Sequence, residues 1–157
     1  MSSRVIWLTG IPCSGKTTLA LELKKILGGY VLDGDELRKG LCSDLDFSKK
    51  DRDENIRRVG EVAKLIEGTV IVSLVSPYKE GRDKVRNMIN NFIEVYVECD
   101  LSVCKERDVK GMYARSDVPL TPVYEIPETP EVHVQTDKYS IKQCLDKILQ
   151  RVNDESI

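Results

Sequence analysis

The chain has 157 residues, with 24 basic against 26 acidic side chains and a net charge of −2. That length fits a single domain, residues 1–157, able to bury about two-thirds of the surface its unfolded form exposes. Balanced charge gives no general drive toward nucleic acid or an anionic membrane, so an anionic small-molecule ligand has to be held by a local cluster.

In chain order, Met1 to Arg4 leads straight into Val5-Ile6-Trp7-Leu8, the pattern of a buried strand. No charged-then-apolar leader precedes it, and no apolar run approaches the roughly 18 residues of a membrane span. The expectation is a cytoplasmic protein without a membrane partner. Five cysteines, at 13, 42, 99, 104 and 144, show no CxxC pairing, which predicts reduced thiols.

Gly10-Ile11-Pro12-Cys13-Ser14-Gly15-Lys16-Thr17 follows the first strand with the spacing GxxxxGK(S/T). Glycines let successive backbone N–H groups curl round an anion, the lysine adds a point charge, and the Thr17 hydroxyl can ligate Mg²⁺. Leu19, Ala20, Leu23, Ile26 and Leu27 give helical spacing just beyond, so a helix starting at Thr17 adds its positive dipole end to the same spot. The stretch reads as a phosphate-binding P-loop. Cys13 lies inside it, where amides and Lys16 lower a thiol pKa, and is a candidate for oxidation.

Gly28-Gly29 closes the helix, and Tyr30-Val31-Leu32 reads as a second strand ending in Asp33-Gly34-Asp35. Residues 36–41 read as a short helix capped by Asp35. Ser48-Lys49-Lys50-Asp51 is a capping-box pattern opening a longer helix. Its stripe of Arg52, Ile56, Val59, Ala63 and Ile66 is polar only in the first turn. Arg52, with Asn55 beside it, therefore points toward the core at the end where the core opens into a site.

Residues 70–75 are dense in β-branched side chains and predict a strand buried on both faces, stopped by Ser76-Pro77. A helix near 80–90, a strand at 93–98 and a helix near 101–109 continue the alternation. Residues 110–130 carry four of the six prolines and little apolar periodicity, which predicts a loop or lid. Val132-His133-Val134-Gln135 reads as the last strand, and Ile141, Cys144, Leu145, Ile148, Leu149 and Val152 mark a closing amphipathic helix. The sum is an α/β protein: a three-layer α/β/α fold of P-loop type around a five-stranded parallel sheet.

In such a sheet ligands bind at the carboxyl ends of the strands. The candidates are the P-loop after strand one, Asp33 and Asp35 after strand two, Ser76 after strand three and Asp100 after strand four. Lys110 and Arg115 follow the helix near 101–109. The third strand ends without a carboxylate, so Asp33 and Asp35 are placed to divide metal and hydroxyl between them. The alternative is that Asp33 makes a turn and Asp35 caps a helix. Arg38 and Arg52 are candidates to clamp an anionic acceptor, at about 1.5–3 kcal/mol per charge-assisted hydrogen bond. Arg57 reads as part of a solvated face. Phe47 either stacks on a base or packs as a staple beside Ser48. His133, in an apolar strand, reads as structural, and no histidine-based catalyst or metal cluster is expected.

Five words in the chain together resemble the adenylylsulfate kinases, which phosphorylate the 3′-hydroxyl of adenosine 5′-phosphosulfate with MgATP. They are GIPCSGKTT from Gly10, LDGDELR from Leu32, GLCSDLDFSKKDRDENIRRVGEVAKL from Gly40, SPYKEGR from Ser76 and RDVKGMY from Arg107. YEIPETPE from Tyr124 is a weaker echo. The resemblance implies that Gly10, Cys13, Ser14, Gly15, Lys16, Thr17, Thr18 and Arg107 bind ATP, and that Thr17, Asp33 and Asp35 serve Mg²⁺. It implies Lys16, Asp33, Asp35 and Ser76 as catalytic, with Asp35 at the attacking hydroxyl. Arg38, Phe47, Arg52, Asn55, Ile56, Ser76, Lys110 and Leu120 join Asp35 on the acceptor, Phe47 stacking on its adenine. Ser76 matches a serine sometimes assigned as a phosphoserine intermediate, but direct in-line transfer needs none, so it is read as a binding residue first. A homodimer is implied as well.

The chain departs from the family in its lid. The family carries a longer lid with a Phe-Thr-Gly-Ile word whose ring closes over the adenine; here Leu120-Thr121-Pro122-Val123 stands in its place. Leucine covers a base but offers no π-face. A sister kinase acting on cytidine diphosphoramidate is therefore the alternative acceptor reading, and a nucleotide-binding regulatory module without catalysis is the third. Intact Lys16, Thr17, Asp33 and Asp35 argue against the module.

Overall fold

β1 (Arg4–Thr9) is apolar on both faces, and Val5, Ile6, Trp7 and Leu8 are buried. Such a strand needs partners on both edges and cover on both faces. β3 (Thr69–Ser73) pairs with it in parallel on one flank and β4 (Phe92–Glu98) on the other. β2 (Tyr30–Asp33) and β5 (Val132–Gln135) form the edges, giving the order β2-β3-β1-β4-β5 with every pairing parallel. The structure, a computed structural model, describes residues 3–108, 111–114 and 124–154.

Because side chains alternate along a strand, β1 feeds two cores. Ile6 and Leu8 meet α1 (Lys16–Leu27) and α6 (Ile141–Asp154) through Leu19, Leu23, Leu145 and Ile148. Val5 and Trp7 meet α3 (Lys49–Leu65) and α4 (Lys79–Met88) through Ile56, Val59, Ala63 and Val85. Each fully buried aliphatic side chain contributes about 1.5–3 kcal/mol. The expected three-layer α/β/α sandwich around five parallel strands is what forms. Among the described residues no helix is long and apolar enough to cross a membrane. The five cysteines form no disulfide with one another.

Local detail departs from expectation in two places that shape the site. The short helix after β2 is α2 (Gly34–Leu37), not residues 36–41, and its N-cap is Asp33 rather than Asp35. Asp33 makes no side-chain cap hydrogen bond; its Oδ1 instead accepts from the Thr17 hydroxyl at 2.9 Å. Asp35 lies inside the first turn. The second departure is β3, which stops at Ser73 rather than at residue 75. Leu74 N–H still reaches Leu8 O at 3.2 Å, but Ser76 turns to φ 45° and Pro77 has no N–H to continue a ladder. His133 keeps its structural character on the solvent side of β5, its ring stacked on Tyr96 at 4.9 Å between centroids.

Candidate active site

The carboxyl ends of β1, β2 and β3 meet in a cavity of about 460 Å³ whose wall includes Lys16, Asp33, Asp35, Arg38, Phe47 and Arg52. Asn55, Ile56, Thr17, Met112 and the strip Ser73–Pro77 also line it. A second cavity of about 750 Å³ shares Thr17, Asp33, Asp35 and Met112 with the first. Thus the P-loop, the DGD turn, the opening of α3 and the end of β3, far apart in the chain, form one site.

On the P-loop side the geometry is that of an anion cradle. Gly15 sits at φ 108°, a left-handed conformation that glycine adopts without penalty, and a Cβ there would press on the Thr136 side chain at 3.2 Å. Cys13 takes φ 65°, and its Sγ lies 3.8 Å from Asp108 Oδ1. Lys16 Nζ donates to the carbonyls of Gly10 and Ile11, both at 2.9 Å. Burial lowers its pKa from 10.5 to about 8, against the pull of Cys104, Cys13, Asp33 and Asp35. Ser14 Oγ is buried with no hydrogen-bond partner among the described residues.

The loop is braced from outside by Tyr113 and Thr136, which sequence reading did not single out, and by Arg107, which it did. Tyr113 Oη donates to Pro12 O at 2.6 Å, and the Thr136 hydroxyl donates to Ser14 O. Arg107, expected at the nucleotide, donates to Cys13 O at 3.5 Å and to Thr136 Oγ1 and O at 3.2 and 3.0 Å. Thr136 follows β5 directly, so the strand-end rule that found Asp33 would have found it too. Thr18 is exposed on the first turn of α1.

Beside the loop, oxygen donors gather. Thr17 Oγ1 lies 2.9 Å from Asp33 Oδ1 and 3.3 Å from Ser73 Oγ, and Asp35 lines the same wall. This all-oxygen set suits a hard divalent cation such as Mg²⁺. Among the described residues no group of three or more His, Cys, Asp or Glu side chains gathers to hold a metal. A cation here would share its coordination with phosphate oxygens, as Mg²⁺ does in phosphoryl transfer. Ser73 was hidden from the sequence by the overlong reading of β3.

The remaining wall is cationic and aromatic. Ser48 caps α3 by accepting from Asp51 N–H at 3.2 Å, which sets Arg52 and Asn55 on the buried first turns. Arg52 Nε donates to Phe47 O at 2.9 Å, while Arg52 Nη2 and Asn55 Oδ1 are buried without a partner among the described residues. Arg38 Nη1 donates to Leu45 O at 3.0 Å and its guanidinium lies 4.3 Å from the Phe47 ring centroid; that of Arg52 lies 5.3 Å away. Burial, and for Arg52 then the charge of Arg38, pushes both guanidinium pKa values down. Arg57 instead stays exposed, bonded to Glu54 at 2.7 Å.

Ser76 is almost fully buried, and its hydroxyl is engaged: it accepts from Trp7 Nε1 at 2.9 Å and donates to Leu74 O at 2.8 Å. Lys110, Arg115 and Leu120 lie outside the described residues.

Comparison with known proteins points to a single family. The family model of adenylylsulphate kinase matches residues 2–135. Adenylyl-sulfate kinase of Prochlorococcus marinus is 43% identical over 96% of this chain and 83% of its own. That of Bacillus licheniformis is 44% identical over 98% of this chain and 87% of its own. Among solved structures, the Mycobacterium tuberculosis APS kinase in complex with AMPPNP and APS superposes with a TM-score of 0.86 at 33% identity, covering 97% of this chain and 98% of that one. The alignment with the Prochlorococcus protein runs to 167 positions, more than this chain has residues, so that relative carries residues this chain lacks.

Proposed function

The chain belongs to the adenylylsulphate kinase family and is an ATP-dependent kinase of adenylyl sulfate, and we propose that the residues lining the composite site carry that transfer as follows. ATP enters with its phosphates on the P-loop, where Lys16 leaves the Gly10 and Ile11 carbonyls to meet them. Arg38, Arg52 and Asn55 take the phosphosulfate and ribose of the acceptor, and Phe47 stacks on its adenine. Asp35 holds the 3′-hydroxyl and receives its proton as the hydroxyl oxygen attacks the γ-phosphorus in line, while the bond from that phosphorus to the β,γ-bridging oxygen breaks and ADP leaves with the electron pair. Thr17, Asp33 and Asp35 would hold Mg²⁺, which when bound neutralises charge on the phosphates. Ser76 acts through the wall it shapes, since its hydroxyl proton is already given to Leu74 O.

The observation that carries this reading is the pair of orphaned buried atoms, Arg52 Nη2 and Asn55 Oδ1, in the wall shared with the P-loop lysine. An unpaired buried polar atom costs about 1–3 kcal/mol, more when charged, which an anionic, hydroxyl-bearing ligand offsets. The same reading takes the enzyme as cytoplasmic, in keeping with cysteines that form no disulfide with one another, and as a homodimer.

ADP release by the purified protein, measured with adenosine 5′-phosphosulfate and with cytidine diphosphoramidate, is the test. Turnover with the adenosine compound is expected. Turnover with the cytidine compound alone replaces the acceptor, and turnover with neither leaves only nucleotide binding.

A further inference from the structure

Arg82 is buried to 1% exposure in the α3–α4 side of the core, and nothing in the proposed chemistry uses it. Its guanidinium makes three links in different directions. Nη1 donates to Ser76 O at 2.7 Å, Nη2 donates to Glu125 O at 2.5 Å, and Nε faces Glu94 Oε2 at 3.4 Å. One cation thus joins the end of the acceptor wall to a segment almost fifty residues later in the chain. The same two segments meet again through Glu125 N–H on Pro77 O at 2.7 Å and Lys79 N–H on Glu125 Oε1 at 2.8 Å.

The link matters because of what Ser76 is doing. A non-glycine residue at φ 45° is held there only when its surroundings over-determine it. Ser76 is held at both its hydroxyl and its carbonyl: Trp7 and Leu74 take the hydroxyl, and the carbonyl accepts from Arg82 at 2.7 Å and, more weakly, from the Thr9 hydroxyl at 3.3 Å. The turned backbone ends β3 at Ser73 and lays residues 73–77 along the cavity beside Arg52 and Phe47.

We propose that Arg82 is a positioning residue for the phosphoryl acceptor: by tying Ser76 to Glu125 across a buried ion pair with Glu94, it sets the wall against which the acceptor is aligned. This rests on the reading of the cavity as the adenylyl-sulfate site. Arginine suits the task better than lysine, because its three nitrogens reach Ser76 O, Glu125 O and Glu94 from separate positions, whereas the three donors of an ammonium radiate from a single atom on a flexible stem. Glu94 itself is shared with Arg86, whose Nη2 lies 3.3 Å away, so a single point charge at position 82 would keep the ion pair and lose the carbonyl links. Tyr124 adds a lesser tie from the same segment, its hydroxyl 2.9 Å from Thr9 Oγ1, which also donates to Val75 O at 2.7 Å.

The test compares wild type, Arg82→Lys and Tyr124→Phe by steady-state kinetics in both substrates and by amide hydrogen exchange. Arg82→Lys should raise the acceptor KM by about tenfold or more, leave the ATP KM within about twofold, and speed exchange in residues 74–78 and 124–126 together. Tyr124→Phe, which removes only a hydroxyl, should raise the acceptor KM by less. Faster exchange with unchanged KM values would make Arg82 merely structural and overturn the proposal, as would an equal rise in both KM values. Should Arg82→Lys unfold, Tyr124→Phe with an unchanged acceptor KM overturns it as well. Absence of wild-type turnover sinks the function reading, whereas wild-type turnover with an unshifted acceptor KM in Arg82→Lys sinks the role of Arg82 alone.

Discussion

In the donor half of the cavity Lys16 Nζ already rests on two backbone carbonyls at 2.9 Å, whereas in the acceptor half Arg52 keeps Nη2 buried without a partner among the described residues. The first half is made of main chain and needs few particular side chains: glycine where φ demands it, one lysine, one hydroxyl. The second is made of side chains brought from α2, the loop before α3 and α3 itself. A backbone cradle accepts any polyphosphate, since every phosphate offers it the same oxygens. Two guanidinium groups, Arg52 buried and Arg38 half-buried, are poised for one anion in one place, because part of their desolvation is met on folding rather than on binding. Generality and specificity are thus housed in separate materials.

The largest effect that could break this division is at Lys16. Lys16→Ala should lower kcat by about a hundredfold or more, the scale on which single preorganised charge-stabilising donors act, while acceptor binding measured by calorimetry stays unchanged. A comparable loss of acceptor affinity would show that the halves are not separable. Next comes Phe47→Ala, which removes the ring lying 4.3 Å from the Arg38 guanidinium. It should raise the acceptor KM by about tenfold, within the roughly 1–3 kcal/mol that base stacking supplies, with kcat and the ATP KM held. An unchanged acceptor KM would refute stacking and leave Phe47 as a packing side chain.

The same contrast governs how much of the molecule was legible in its sequence. Strands and helices followed from periodicity, and the P-loop from spacing, because both are local patterns that a chain must write in order. Arg52 and Asn55 were legible too: a capping box with a polar first turn on an apolar stripe states where a helix opens. What escaped was set by contacts between distant segments. Asp33 became the cap of α2 although its carboxylate was claimed by Thr17, and β3 lost two residues to a left-handed serine. Arg82 was one more basic residue on an amphipathic helix until the fold set Glu94, Ser76 and Glu125 around it. The acceptor half was named through resemblance, since its residues come from several elements and share no spacing.

The smallest expected effect sharpens the comparison by pH. Burial brings Lys16 to about 8 from its ordinary 10.5, so folded and unfolded chains hold its proton equally below about pH 8, where the cost of burying the charge is borne in full. As pH rises from about 8 toward 10.5 the folded protein sheds the proton first, and stability from this group increases. A bound polyphosphate favours the charged form and restores the proton. Binding of a non-hydrolysable ATP analogue at about pH 9 should therefore draw in most of one proton at this lysine, and almost none at about pH 7, read by calorimetry in buffers of different ionisation heat. Lys16→Met should abolish the uptake. Arg38 and Arg52 are also lowered by burial, yet an arginine keeps its charge throughout this range, so acceptor binding should draw in no proton at these two sites. Equal uptake in wild type and Lys16→Met would place the proton elsewhere and leave both halves with fixed charge. The predicted difference instead makes the donor half the only pH-responsive side of this pairing, because a lysine folded onto its own loop can neutralise and a buried arginine cannot.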